Sequence, residues 1–173
     1  MFGGVFIHRL HPNFGLGLGF DLLNREERDS SVLITNANST VSGQTLAVLV
    51  LGKWIITEGK VQPFITGGMG LGRSSLKAVS TPRPGFVWTA TGTRDTRTII
   101  DASDTAFAFA LRGGLDMELN DALLAGVELG YLRVSDMTYS LTESGRQVLP
   151  GITGLKGPQA SYTFSGRITY RFK

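Results

Sequence analysis

The 173-residue chain has no cysteine, which excludes both a disulfide framework and thiolate metal ligation. Its only histidines, His8 and His11, flank a turn, and no third ligand stands near them. They read as surface groups, not as a metal site. No run of eighteen apolar residues exists. The longest apolar core, residues 46–52, is about a third of what a membrane-spanning helix requires, so such a helix is excluded. An excess of one charge sign is lacking too. The net charge is +3, from 17 basic and 14 acidic residues dispersed along the chain, without the basic stripe that nucleic acid demands. Residues 1–6 carry neither the charged nor the long apolar region of a secretory signal. GxSxG and GKS/GKT are absent. The glycine runs at 15–19 and 68–72 lack GxGxxG spacing, so hydrolase elbows and phosphate loops are not indicated.

What the chain does have is alternation. In its last thirteen residues Tyr162, Phe164, Gly166, Ile168, Tyr170 and Phe172 share one parity, while Ser161, Thr163, Ser165, Arg167, Thr169 and Arg171 share the other. Only a β-strand puts alternate residues on opposite faces. In a water-soluble sandwich the apolar face meets a core. In a membrane barrel it meets lipid, and the polar face lines a filled lumen.

The same period recurs along the chain. It predicts strands over 2–10, 14–22, 44–57, 61–72, 105–119, 123–131 and 161–172. Residues 105–119 are rich in helix formers, but Phe107, Phe109, Leu111, Leu115, Met117 and Leu119 keep strict parity, and Gly113-Gly114 weakens a helix. Short turns are expected near 11–13, 58–60 and 120–122, and long loops near 24–42, 78–103 and 138–157; part of the second, 86–91, could extend the flanking strands. Short and long connections alternate, so all turns lie at one end and all loops at the other, as in outer-membrane barrels.

The terminal aromatic run resembles the C-terminal signature of Gram-negative outer-membrane β-barrels. With Gln62–Gly72, Ala125–Tyr131 and Gly166–Phe172, the whole chain resembles the eight-stranded barrels of the OmpA transmembrane-domain and surface-antigen type. The resemblance implies an all-β, antiparallel, up-and-down transmembrane β-barrel in a single domain spanning 1–173, placed in the bacterial outer membrane. It implies an insertion signal at Ile168, Tyr170 and Phe172, read by the barrel-assembly machinery. Seven strands are visible where such barrels have an even number, so the first strand and a signal peptide are expected upstream of Met1.

On the assigned parities Asp21, Lys53, Arg112, Asp116, Glu118, Glu128, Arg167 and Arg171 face the lumen, four of each sign. A balanced set implies an internal salt-bridge network plugging a narrow barrel, with an ion path as the alternative. Arg73 and Arg133 share the lipid-facing parity and are candidates for lipopolysaccharide phosphates. Trp54, Tyr131, Tyr162 and Tyr170 fit interfacial girdles. The expected role is a non-enzymatic surface scaffold without cofactors, whose partners are outer-membrane lipid and lipopolysaccharide and whose loops carry adhesion or recognition. The rival readings are a soluble calycin-like barrel holding a small apolar ligand, and a barrel enzyme acting on lipids.

Overall fold

The computed structural model describes residues 2–27, 36–120 and 122–170. Seven antiparallel strands follow one another: β1 (Phe2–His11), β2 (Phe14–Glu27), β3 (Ala37–Ile55), β4 (Val61–Pro82), β5 (Arg97–Asn120), β6 (Leu123–Ser140) and, after a short helix α1 (Glu143–Val148), β7 (Gly154–Tyr170). They form one sheet in the order β1 to β7, with β1 and β7 at its edges. Short turns close the hairpins at one end. At 120–123 the Asn120 side chain accepts from the amides of Ala122 and Leu123 at 3.0 and 2.9 Å, an Asx turn.

The seven strands stand where alternation predicts them, but several are much longer. The long loops expected over 24–42, 78–103 and 138–157 are shorter than expected, because strands run into both ends of each: β2 runs to Glu27, β3 starts at Ala37, β4 continues to Pro82, β5 begins at Arg97, β6 runs to Ser140 and β7 begins at Gly154. Residues 86–91 do not extend a strand. They belong to an ordered loop in which Trp88 Nε1 donates to the Asp95 carbonyl at 2.7 Å and the Arg97 guanidinium lies over the Trp88 ring. The last connection holds α1, whose N-cap Thr142 accepts from the Gly145 amide at 3.0 Å.

The sheet is strongly curled. Neighbouring strands lie about 4.8 Å apart, so β3 and β7 would be about 19 Å apart on a flat sheet. Yet Thr45 of β3 reaches Gln159 of β7 at 2.5 Å, and Gln159 Nε2 donates to Ser74 of β4 at 3.0 Å. The inward faces therefore meet across the concave side.

Polarity reverses along these strands. In the half nearest the short turns, Val61, Ile65, Met69 and Leu71 of β4 and Phe107, Phe109, Leu111 and Leu115 of β5 point outward and are exposed, while Gln62, Thr66, Arg112 and Asp116 are buried. Phe107 is 50% exposed, and Tyr162 and Phe164 on β7 are 84% and 74% exposed. In the half nearest the loops the arrangement is the opposite. Ala78, Ile99, Ile100, Met137, Tyr139 and Leu141 form a buried apolar cluster, and Ser75, Lys77, Asp101, Ser103, Asp136 and Thr138 face out. A register shift between Val134 and Met137 changes which parity of β6 points inward, so odd residues take over from even ones.

Candidate functional site

The turn-side half of the concave face holds six charged side chains in one connected network. Arg112 on β5 makes a close ion pair through Nη2 with Asp21 on β2, and its Nη1 lies 3.6 Å from Glu128 on β6. Arg167 on β7 donates through Nη1 to Glu128 at 3.0 Å and places Nε 3.4 Å from Asp116 Oδ1. Lys53 on β3 reaches the other oxygen of Asp116 at 2.7 Å. The order Asp21–Arg112–Glu128–Arg167–Asp116–Lys53 thus stitches together β2, β3, β5, β6 and β7. Three cations meet three anions, so the layer is neutral. That balance is essential, because an unpaired buried ion costs several kcal/mol.

Local sequence makes room for these groups. Gly3 pairs with Asp21 and Gly126 with Asp116 in the ladders, and a Cβ on either glycine would collide with the opposing carboxylate. Phe64 of β4 lies beneath two of the cations, with Lys53 Nζ 4.2 Å and the Arg167 guanidinium 4.6 Å from its ring centre. Arg9 of β1 adds a long hydrogen bond to Gln62 at 3.4 Å. Asp21 Oδ1 and Thr66 Oγ1 are buried without a hydrogen-bond partner.

Of the eight lumen charges expected from parity, six therefore converge. Glu118 shares their face, is only half-buried and lies further toward the turns. Arg171 lies outside the described residues, as does Phe172. Tyr170 pairs with Leu123 through its backbone, and its side chain is likewise outside the described part. Ile168 points outward and is 80% exposed. Arg73 and Arg133 also point outward and are exposed, but they do not cap strand ends, because β4 and β6 continue well past them. They mark the level at which outward residues change from apolar to polar. Tyr131 and Tyr162, with ring centres 5.0 Å apart, lie one outward position nearer the turns.

Parity could have pointed to Phe64 and Gln62, since they alternate with the outward Pro63 and Ile65, but only charged groups draw attention in a polar face. A second polar group had no local signal at all. Gln159 Nε2 donates to Ser74 and to Tyr139 Oη at 3.0 Å each, and Thr45 Oγ1 lies 2.9 Å from Ser74 Oγ. This small ring of hydrogen bonds separates the charge layer from the apolar cluster.

Chemically, each carboxylate of the network faces a guanidinium or ammonium, an arrangement that ties neighbouring and distant strands together. Among the described residues no group of three His, Cys, Asp or Glu side chains is arranged to hold a metal ion. Compared with protein-family models and with curated proteins, the chain matches none.

Proposed function

We propose that this chain is a small outer-membrane β-barrel of non-enzymatic character, whose charge network plugs the lumen and whose loop-side half projects from the membrane as a surface scaffold. The observation that carries the reading is the reversal of polarity along single strands. A soluble barrel has one solvent outside and keeps one polarity throughout. A strand that leaves lipid for water must exchange its apolar and polar faces at the boundary. On β4 the outward apolar stretch runs from Val61 to Leu71 before Arg73 begins the polar part. Ten steps of about 3.4 Å at a tilt of about 40° give a height of about 25 Å, the thickness of the apolar band on such barrels.

Closure belongs to the same proposal. β1 and β7 run in the same direction, so an eighth strand between them would be antiparallel to both and would complete an even-numbered barrel. In lipid, open edges leave backbone groups unsatisfied at several kcal/mol each. Arg73 and Arg133, standing about 13 Å apart along the β5 ladder at the boundary (Arg73 opposite Thr105, Arg133 opposite Phe109), suit the phosphates of lipopolysaccharide. Ile168, Tyr170 and Phe172 remain the candidate signal for the barrel-assembly machinery. The calycin-like reading needs the aromatic side chains turned inward, whereas Phe107, Phe109, Tyr162 and Phe164 look outward.

The test is fractionation. The protein is expected in the membrane fraction, extracted only by detergent, and to migrate faster on gels before heating than after. Recovery as a monodisperse, detergent-free protein would sink the proposal.

A further inference from the structure

Arg73 and Arg133 occupy matching positions on their strands. Each is the first charged residue after an unbroken outward apolar run, Val61 to Leu71 on β4 and Leu123 to Tyr131 on β6. On β5, between them, the outward side changes at the same level, from Phe109 and Phe107 to Thr105 and Ser103. All three strands lie inside the sheet, paired along both sides.

Arg73 stands opposite Thr105 and Arg133 opposite Phe109, so the two arginines flank β5 at different points along it. Their Cα atoms are separated by about 13 Å along the strands and about 10 Å across them. Phe107, 50% exposed, lies on β5 between the two ladder partners. Beside Arg73 stand three outward hydroxyls, those of its partner Thr105 and of the paired Ser75 and Ser103. Arg73 directs one N–H at Ser103 Oγ over 3.5 Å, the outer limit of a hydrogen bond, which leaves most of the guanidinium's donors to a ligand. On β4 to β7 above the boundary the exposed cations are Arg73, Lys77, Arg133 and Lys156, against the carboxylates Asp101 and Asp136. Asp101 is the ladder partner of Lys77, so the excess of positive charge falls on the boundary.

We propose that Arg73 and Arg133 grip one molecule of a disaccharide lipid that carries a phosphate at each end, the lipid A anchor of lipopolysaccharide. One phosphate meets each guanidinium, the sugars lie over Phe107, and the acyl chains run down Leu71, Phe109 and Leu111. The inference rests on the outward band facing lipid, and it goes beyond attraction to phosphate in general. Two arginines rooted on separate strands select the spacing of two anions, because each guanidinium recognises its own phosphate through paired hydrogen bonds. A glycerophospholipid with a single phosphate engages only one of them.

The experiment displaces fluorescent diphosphoryl lipid A from the detergent-solubilised full chain. The competitors are unlabelled diphosphoryl lipid A, monophosphoryl lipid A, and cardiolipin, whose two phosphates are joined by a single glycerol. The diphosphoryl lipid is expected to bind at least about tenfold tighter than either, the contribution of one more charge-assisted contact. Arg73→Gln and Arg133→Gln should each remove that advantage, whereas monophosphoryl lipid A should be weakened by only one of the two substitutions. Heat-modifiable migration should be unchanged in both variants, since both side chains are exposed. Equal affinity for the three lipids, or equal weakening of the monophosphoryl lipid by both substitutions, would overturn the two-point grip and leave the membrane reading standing. Recovery of the chain as a detergent-free, monodisperse protein would remove both.

Discussion

Replacing Arg112 by methionine tests whether the charge network holds the curl. The guanidinium is 7% exposed and lies between Asp21 and Glu128, itself 8% exposed, so its removal leaves Asp21 buried with no cation and tips the layer from neutral to one net negative charge. Breaking a buried pair on one side costs about 3–5 kcal/mol, which lowers the folding equilibrium constant by about two to four orders of magnitude. Asp21 has little to fall back on, since its Oδ1 already lacks a hydrogen-bond partner. The measurement is urea unfolding of detergent-refolded protein, followed by tryptophan fluorescence and gel migration. Adding Asp21→Asn to Arg112→Met removes the stranded charge and should restore at least half of the loss. The reasoning fails if Arg112→Met costs under about 1 kcal/mol, the level of a solvent-exposed ion pair. It fails equally if the double variant is no more stable than the single one.

Arginine placed at outward positions should report the polarity boundary. Leu111→Arg lies in the apolar band and should cost about 2–4 kcal/mol in lipid, whereas Ser75→Arg, outward on β4 beyond Arg73, should change stability by less than about 0.5 kcal/mol; equal costs would remove the boundary. At Gly70 a Cβ would drive into the Val48 carbonyl, but at Gly67 it would meet nothing. Gly70→Ala should therefore cost about 1–3 kcal/mol by overpacking, and Gly67→Ala should be neutral or slightly stabilising when both are compared by urea midpoint. The Asp104 carboxylate is held below the ordinary range by the backbone amides it accepts from, first Thr138 at 2.7 Å and then Thr105 at 2.8 Å. A depressed carboxylate stabilises the fold above its unfolded value and loses that contribution as pH falls through the folded one. Hydrogen exchange at the Thr138 amide, corrected for intrinsic rate, should speed up as pH drops below about 4. That acceleration should vanish in Asp104→Asn.

The number of strands, the places where they turn and the sidedness of their turn-side halves were legible in the sequence. These follow from a period of two, which is a property of each strand by itself. Parity also put the six charges that meet on the face opposite their apolar neighbours, whereas Arg73 and Arg133 stand on the outward parity itself. The length of the strands was not legible. Residues 73–82, 97–104 and 135–140 keep the extended backbone but exchange their polar and apolar faces, and irregularities near Ala78 and between Val134 and Met137 shift the phase. Read against the outward-apolar pattern, such stretches look like loops.

Tertiary structure alone decided the partners. Arg112 meets Asp21 across 91 positions of sequence, and Thr45 meets Gln159 across 114. Which inward groups touch depends on the curl and stagger accumulated over three or four strands, and no single strand encodes that sum.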